Sequence, residues 1–112
     1  MTKKRILDVA TEEFATLGYS GLSMNKLAEK LKIKKTMIYY YFKDKRNLYD
    51  EVISSIIELN EEEKKEILNS SLEAKEKFKR YIKLYTKTIN NNPNIIPPYI
   101  KRNGKFWFRN RK

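Results

Sequence analysis

The sequence predicts an all-α protein, and three observations support this prediction. The three prolines of the 112-residue chain lie at position 93 or later, so no proline interrupts a helix in the first 92 residues. Apolar residues in that part recur at spacings of three and four, which is typical of amphipathic helices. Hydrophobic residues make up 40% of the chain, which is enough for a modest core.

The first two helices are indicated by their apolar faces and by the residues that end or cap them. Helix 1 is predicted over residues 2–17, and Gly18 ends it because glycine tolerates the left-handed conformation found there. Ser23 is a good N-cap for helix 2, predicted from residue 24 to residue 30 or 31, since its hydroxyl accepts from a free backbone amide. The apolar faces comprise Leu7, Ala10, Phe14 and Leu17 in helix 1, and Met24, Leu27, Ala28 and Leu31 in helix 2.

Helix 3 is short and differs in chemistry between its two sides. It is predicted from residue 35 or 36 to residue 41, after a basic break in which Ile33 fills the corner between helices 2 and 3. Ile38 and Phe42 face inward, which leaves lysine, threonine, methionine and tyrosine side chains to face outward. A short helix braced by another across a tight turn is a helix-turn-helix arrangement, in which the second helix enters the major groove of DNA.

The elements after helix 3 are predicted from N-cap residues and from apolar residues that recur at helical spacing. Asp44 caps helix 4, which runs from residue 45 to about residue 59, and residues 61–69 form either a weak helix or a linker. Ser70 or Ser71 caps a further helix, whose apolar stripe we expect to pack in the protein rather than to bind a ligand. The apolar face of helix 4 comprises Leu48, Val52, Ile56 and Leu59, and the later stripe comprises Phe78, Tyr81, Ile82, Tyr85 and Ile89.

The predicted organisation follows from these elements. Residues 1–48 form a helix-turn-helix DNA-binding domain of three helices, followed by a connecting helix 4 and one or two further helices. Residues 49–92 are a helical connector and a partial C-terminal helical region, and residues 93–112 are an irregular basic tail.

The net charge of +11 is concentrated at the two ends of the chain. Residues 1–48 carry 11 basic and 5 acidic side chains, residues 49–100 carry 8 and 9, and residues 101–112 carry 6 and none. Clustered positive charge is typical of a protein that binds a polyanion. An AT-rich genome would also favour lysine, isoleucine and asparagine, but it would not leave the middle of the chain neutral.

The composition also argues against several function classes. Cysteine and histidine are absent, which removes disulfides, Cys/His metal sites and histidine acid–base catalysis. The glutamates at 61–63 form a solvated run rather than a paired acid site, so we expect no enzyme activity, no metal and no cofactor. No apolar run approaches the roughly 20 residues that span a bilayer, and the N-terminus lacks the apolar stretch of a signal peptide. We therefore expect a cytoplasmic protein without a membrane span.

Two segments resemble a known family. Residues 18–28 read Gly-Tyr-Ser-Gly-Leu-Ser-Met-Asn-Lys-Leu-Ala, and residues 38–48 read Ile-Tyr-Tyr-Tyr-Phe-Lys-Asp-Lys-Arg-Asn-Leu. In this register they resemble the helix-turn-helix domain of TetR-type (tetracycline-repressor-like) transcription regulators, and the resemblance covers about residues 3–60 well and 61–90 by helical pattern only. Two positions depart from the family pattern: Lys32 stands where the turn usually has glycine, and Arg46 where an acidic residue is frequent. A left-handed backbone at Lys32 would be mildly strained, or the turn differs slightly.

The resemblance implies a sequence-specific regulator of double-stranded DNA, expected to be a repressor, that reads the major groove with helix 3. It implies that Lys35, Thr36, Met37 and Tyr40 read base edges or thymine methyl groups. It further implies phosphate contacts from Tyr39, Tyr41 and Lys45, with Ser23, Asn25 and Lys34 as additional candidates near the DNA backbone. Lys26 and Lys32 are also expected near that backbone.

Regulators of this type carry a longer C-terminal domain that binds an inducer and forms a dimer, so the short second half leaves alternatives open. The chain is a truncated or frameshifted product, which we favour; or a naturally short regulator that dimerises through its apolar stripe; or a protein whose basic aromatic tail binds DNA or a membrane surface. A homodimer and a mixed dimer are both open, and the short ligand-binding region argues against a small-molecule inducer. The alternative function is an interaction protein that forms mixed dimers with a full-length relative and does not regulate DNA itself.

Overall fold

The computed structural model describes residues 1–109 of the chain, with side chains described through residue 102, and over this part it forms seven helices and no strand. The helices are α1 (Lys3–Gly21), α2 (Met24–Leu31), α3 (Lys35–Tyr41), α4 (Lys45–Glu58), α5 (Glu61–Asn69), α6 (Ala74–Asn91) and α7 (Ile96–Arg109). The predicted all-α class, with a helix-turn-helix unit followed by further helices, is confirmed. Within the described residues, no helix combines the length and the apolar character needed to cross a membrane.

Helix α1 contains a break at Gly18, the residue predicted to end it. Thr2 caps its start by accepting from the Arg5 amide at 3.2 Å. Gly18 has φ 73° and ψ 176°, after which helical structure resumes as far as Gly21. A Cβ added at Gly18 would meet nothing within 4 Å, so the backbone conformation, and not a lack of space, favours glycine there. Because the chain turns at this point, Leu17 is exposed rather than part of the predicted apolar stripe.

One hydrophobic core unites the first four helices. Its fully buried residues on α1 to α4 and their connections include the predicted inward residues of α3. They are Ile6, Ala10, Phe14, Leu27, Ile38, Phe42, Leu48, Tyr49 and Val52. Leu27, Ile38, Phe42 and Leu48 thereby confirm the core positions predicted from the sequence.

The start of α4 is capped reciprocally. Asp44 accepts from the Asn47 amide through Oδ1 at 2.8 Å, which confirms the predicted cap, and Asn47 Oδ1 accepts from the Lys43 amide at 3.0 Å. At its other end, Leu59 is 80% exposed and lies beyond the last helical residue, so its assignment to the apolar face is wrong. Two hydrogen bonds between side chains and backbone amides therefore hold the first turn of α4 against the residues that precede it.

Helices α5 and α6 pack against each other. Residues 61–69, predicted as a weak helix or a linker, are helical. The Asn60 amide group donates to Thr88 Oγ1 at 2.7 Å, and Lys77 Nζ donates to the Leu68 carbonyl at 2.8 Å. The predicted serine cap of α6 is wrong, because the residue at the N-cap position is Glu73, without a side-chain cap.

The buried face of α6 differs from the predicted stripe. Leu84 is its buried residue, whereas Phe78 is 65% exposed and Ile82 is 47% exposed. Successive helical residues are rotated by about 100°, so Phe78 and Ile82 point away from the face that carries Leu84. The prediction that these two residues pack in the protein is therefore wrong for this structure.

The prediction of an irregular tail from residue 93 is wrong over α7. Pro97 and Pro98 lie in the first helical turn, where a backbone amide has no partner within the helix, so proline is compatible with it. The preceding Ile95 is fully buried and Ile96 nearly so, both in the core shared with α1 to α4. Residues 110–112 of the predicted tail lie outside the described part of the chain.

Candidate nucleic-acid interface

The turn between α2 and α3 sets the angle between the two helices. The Ser23 hydroxyl caps α2 by accepting from the Lys26 amide at 3.1 Å. After α2, Lys32 adopts the left-handed conformation, with φ 58° and ψ 43°, and its amide donates to the Ala28 and Glu29 carbonyls. Of the two possibilities for this turn, the left-handed backbone is therefore the one present, with a lysine where glycine would adopt it without strain.

Helix α3 presents one face to the core and the opposite face to solvent. Ile38 and Phe42 are fully buried behind it. The exposed side chains are Lys34, Lys35, Thr36, Met37, Tyr39 and Tyr40, with Tyr40 the most exposed at 79%. The geometry thus places on one short outward-facing helix, and at its N-cap, six of the ten residues predicted to contact DNA.

Tyr41 differs from Tyr39 and Tyr40, which are exposed. It is half-buried, and its hydroxyl donates to the Met1 carbonyl at 3.4 Å. Its ring lies edge-on to the ring of Tyr40, with 4.9 Å between the centroids. A phosphate contact from the Tyr41 hydroxyl would therefore exchange a hydrogen bond within the chain for one to DNA.

Ser23 and Asn25 lie at the start of α2. The Ser23 oxygen already accepts from the Lys26 amide, but its hydroxyl proton remains available for a second acceptor. Asn25 is exposed in the first turn of the helix. The first turn of a helix favours anions because its backbone amides are incompletely paired.

Lys45, the first residue of α4, lies in a more crowded environment than the sequence predicts. Its Nζ lies 4.3 Å from the centroid of the Tyr19 ring, and Arg102 of α7 lies over the same ring with its Cζ 4.2 Å from the centroid. Burial and, secondarily, repulsion from Arg102 lower the pKa of Lys45. Nothing in the local sequence pattern predicts these neighbours, because Tyr19 belongs to α1 and Arg102 to a helix that the sequence does not predict.

A capped helix, a tight turn and a second short helix with a buried back and a polar front define a helix-turn-helix unit, the arrangement that places the second helix in the major groove in DNA-binding proteins of this fold. Residues 6–52, which contain all of these features, match the family model described as bacterial regulatory proteins, tetR family. The match covers less than half of the chain, and this part of the chain resembles the tetR family of bacterial regulatory proteins.

Two curated relatives illustrate the similarity. The HTH-type transcriptional regulator YhgD of Bacillus subtilis (strain 168), which is named as uncharacterized, is 33% identical over 70 residues, which cover 62% of this chain and 37% of the relative. The biofilm operon icaADBC HTH-type negative transcriptional regulator IcaR of Staphylococcus aureus (strain Newman) is 28% identical over 107 residues, which cover 81% of this chain and 55% of the relative. The chain thus spans 37% and 55% of the lengths of these relatives. No solved structure gives a significant match.

Proposed function

We propose that this protein is a sequence-specific, double-stranded DNA-binding transcription regulator, and that it represses. The observation that carries the proposal is the outward face of α3, where lysine, threonine, methionine and tyrosine side chains are exposed while Ile38 and Phe42 are buried behind them. The major groove of B-DNA, about 12 Å wide, admits one helix of this kind. Repression is supported by IcaR, whose name describes it as a negative regulator.

The residues divide into base contacts and phosphate contacts. Lys35 lies in the first turn of α3, where recognition helices meet base edges, and a lysine donates well to guanine O6 and N7. We assign Thr36, Met37 and Tyr40 to the same surface. Tyr39, Tyr41 and Lys45 are assigned to phosphates, together with Ser23, Asn25 and Lys34. The exposed methionine can contact a thymine methyl group without a hydrogen bond.

We propose that the protein acts in the cytoplasm. The number of operator half-sites that it reads depends on its oligomeric state. A single helix-turn-helix domain reads one half-site, whereas a dimer reads two half-sites about 34–36 Å apart. A homodimer and a mixed dimer with a longer relative remain the two candidate assemblies. No observation on the described residues favours an interaction protein that does not bind DNA.

The proposal is tested by selecting preferred sequences from a pool of random duplexes and then measuring variants on the selected duplex. Lys35→Ala removes a base contact and should lower the preference for the selected base by about 1–3 kcal/mol, roughly 5- to 150-fold. Tyr39→Phe removes only a hydroxyl from a phosphate contact, so it should weaken all duplexes alike. Fluorescence anisotropy at fixed salt measures both effects.

The matched control is Lys65→Ala, which removes an exposed lysine from α5. It should leave the sequence preference unchanged. The proposal fails if no duplex is enriched in the selection, or if Lys35→Ala and Lys65→Ala change the preference equally.

A further inference from the structure

Two positive side chains from distant parts of the chain meet at one aromatic ring. Lys45 Nζ and Arg102 Cζ lie 4.3 and 4.2 Å from the centroid of the Tyr19 ring. Among the described residues, neither of the two cations forms an ion pair with a carboxylate. No carboxylate of the described residues neutralises the pair, so the pair attracts anions.

Packing of the C-terminal segment holds this pair together. Ile95 and Ile96 are buried in the common core, and the Tyr49 hydroxyl donates to the Ile95 carbonyl at 2.6 Å. The Asn94 side chain also donates to the Ala15 carbonyl of α1 at 2.8 Å. These contacts fix the start of α7 against α1 and α4, so Arg102 is brought to Lys45 despite their mutual repulsion.

The nearby carboxylates are engaged elsewhere. Asp44 accepts from the Asn47 amide at the α4 N-cap, and Asp50 lies 3.6 Å from the Arg46 guanidinium. Asp50 also interacts with the Tyr99 hydroxyl of α7. A phosphate approaching the start of α4 would therefore meet Lys45 and Arg102 as available cations.

We infer that Arg102 is a phosphate-binding residue for duplex DNA, contributed by α7 beside Lys45 and outside the helix-turn-helix domain. The inference rests on the proposed function and adds a contact that the second half of the chain makes to the DNA backbone. A guanidinium can donate two parallel hydrogen bonds to a phosphate, which suits this role. Because Arg102 is exposed, its guanidinium can donate hydrogen bonds to a phosphate while its Cζ stays over the Tyr19 ring.

Salt dependence of binding tests the inference on the full 112-residue chain. Each phosphate contact contributes about 0.9 to the slope of log K against log salt. Arg102→Gln should therefore reduce the slope by about 0.9, so that the loss of affinity between 50 and 200 mM KCl becomes roughly 3.5-fold smaller than in the wild type. Arg102→Lys should retain most of the slope, and Lys101→Gln, a matched removal of the neighbouring charge, should leave it unchanged.

A second measurement does not require a substitution. Phenylglyoxal modifies exposed arginines, and mass spectrometry of the wild-type chain gives the extent of labelling at each one. Duplex DNA should protect Arg102 and leave Arg80 of α6 labelled as before.

The outcomes separate this inference from the proposed function. If the wild type binds duplex but Arg102→Gln leaves its slope unchanged, or matches Lys101→Gln, the Arg102 contact is overturned and the proposed function stands. Equal labelling of Arg102 with and without duplex also overturns it, including where Arg102→Gln fails to fold. Absence of any duplex binding by the wild type overturns both.

Discussion

Replacing Lys32 with glycine should stabilise the protein, because the turn between α2 and α3 holds a lysine in a conformation that glycine adopts without strain. Lys32 is the only non-glycine residue with positive φ in the described part of the chain, at φ 58°. A left-handed backbone costs an L-residue about 1–2 kcal/mol. The bonds from the Lys32 amide to the Ala28 and Glu29 carbonyls belong to the backbone, so Lys32→Gly keeps them.

The gain is smaller than the full cost of the left-handed conformation. Glycine has more conformational freedom in the unfolded chain, which opposes the gain by about 0.5–1 kcal/mol. The net expectation for Lys32→Gly is a stabilisation of about 0.5–1 kcal/mol, or a rise in Tm of roughly 2–8 °C for a domain of this size. Thermal unfolding followed by circular dichroism measures it.

Two controls separate the backbone effect from the loss of charge. Lys32→Ala removes the same positive charge and keeps the left-handed strain, so it should not share the gain. Lys34→Gly adds glycine where the backbone is already extended, with φ −77° and ψ 146°, and should not stabilise. If Lys32→Gly is no more stable than Lys32→Ala, the reasoning from backbone strain is refuted.

Two further predictions concern the core that supports the interface. Tyr49→Phe removes the hydrogen bond to Ile95 and should lower the free energy of unfolding by about 1 kcal/mol in denaturant titrations. Burial raises the pKa of Tyr49 to about 12 from an ordinary value of 10.0, so its protonated form stabilises the fold fully below pH 10 and this contribution is lost as the pH rises through about 12. The difference in stability between wild type and Tyr49→Phe should shrink over that range, and a constant difference would contradict the assignment. Ala28→Leu overfills a site that is 6% exposed in α2 and should destabilise by about 1–3 kcal/mol, with loss of DNA binding; unchanged stability would show that the site has spare room.

The helix-turn-helix region was predictable because its determinants are local. Ser23 and Asp44 cap their helices through amides three residues away, and such contacts depend on nearby sequence alone. The spacing of Ile38 and Phe42 fixes which side of α3 faces inward. The outward-facing candidates then follow without knowledge of the rest of the chain.

The second half was harder to predict because its structure depends on distant contacts. Paired prolines suggested an irregular segment at α7, yet they occupy the first turn, where they are tolerated, and burial of Ile95 and Ile96 fixes the segment that enters the helix. On α6, the apolar stripe suggested packing for Phe78, but the helix turns a different face toward α5. Periodicity reveals that a helix is amphipathic, but it does not reveal which partner covers which face.

The contacts of the C-terminal segment bear on how α3 is held. Phe42, at the end of α3, lies in the same core as Tyr49 of α4, and Tyr49 in turn hydrogen-bonds to Ile95 and packs against the ring of Tyr99 at 5.4 Å between centroids. A core transmits strain because it is packed to near-crystalline density. The support of α3 therefore extends beyond residues 6–52, and a fragment ending after α4 would lack the Ile95 carbonyl that accepts from the Tyr49 hydroxyl. Because Ile95 and Ile96 also close this side of the core, the segment that enters α7 forms part of the structure that positions α3.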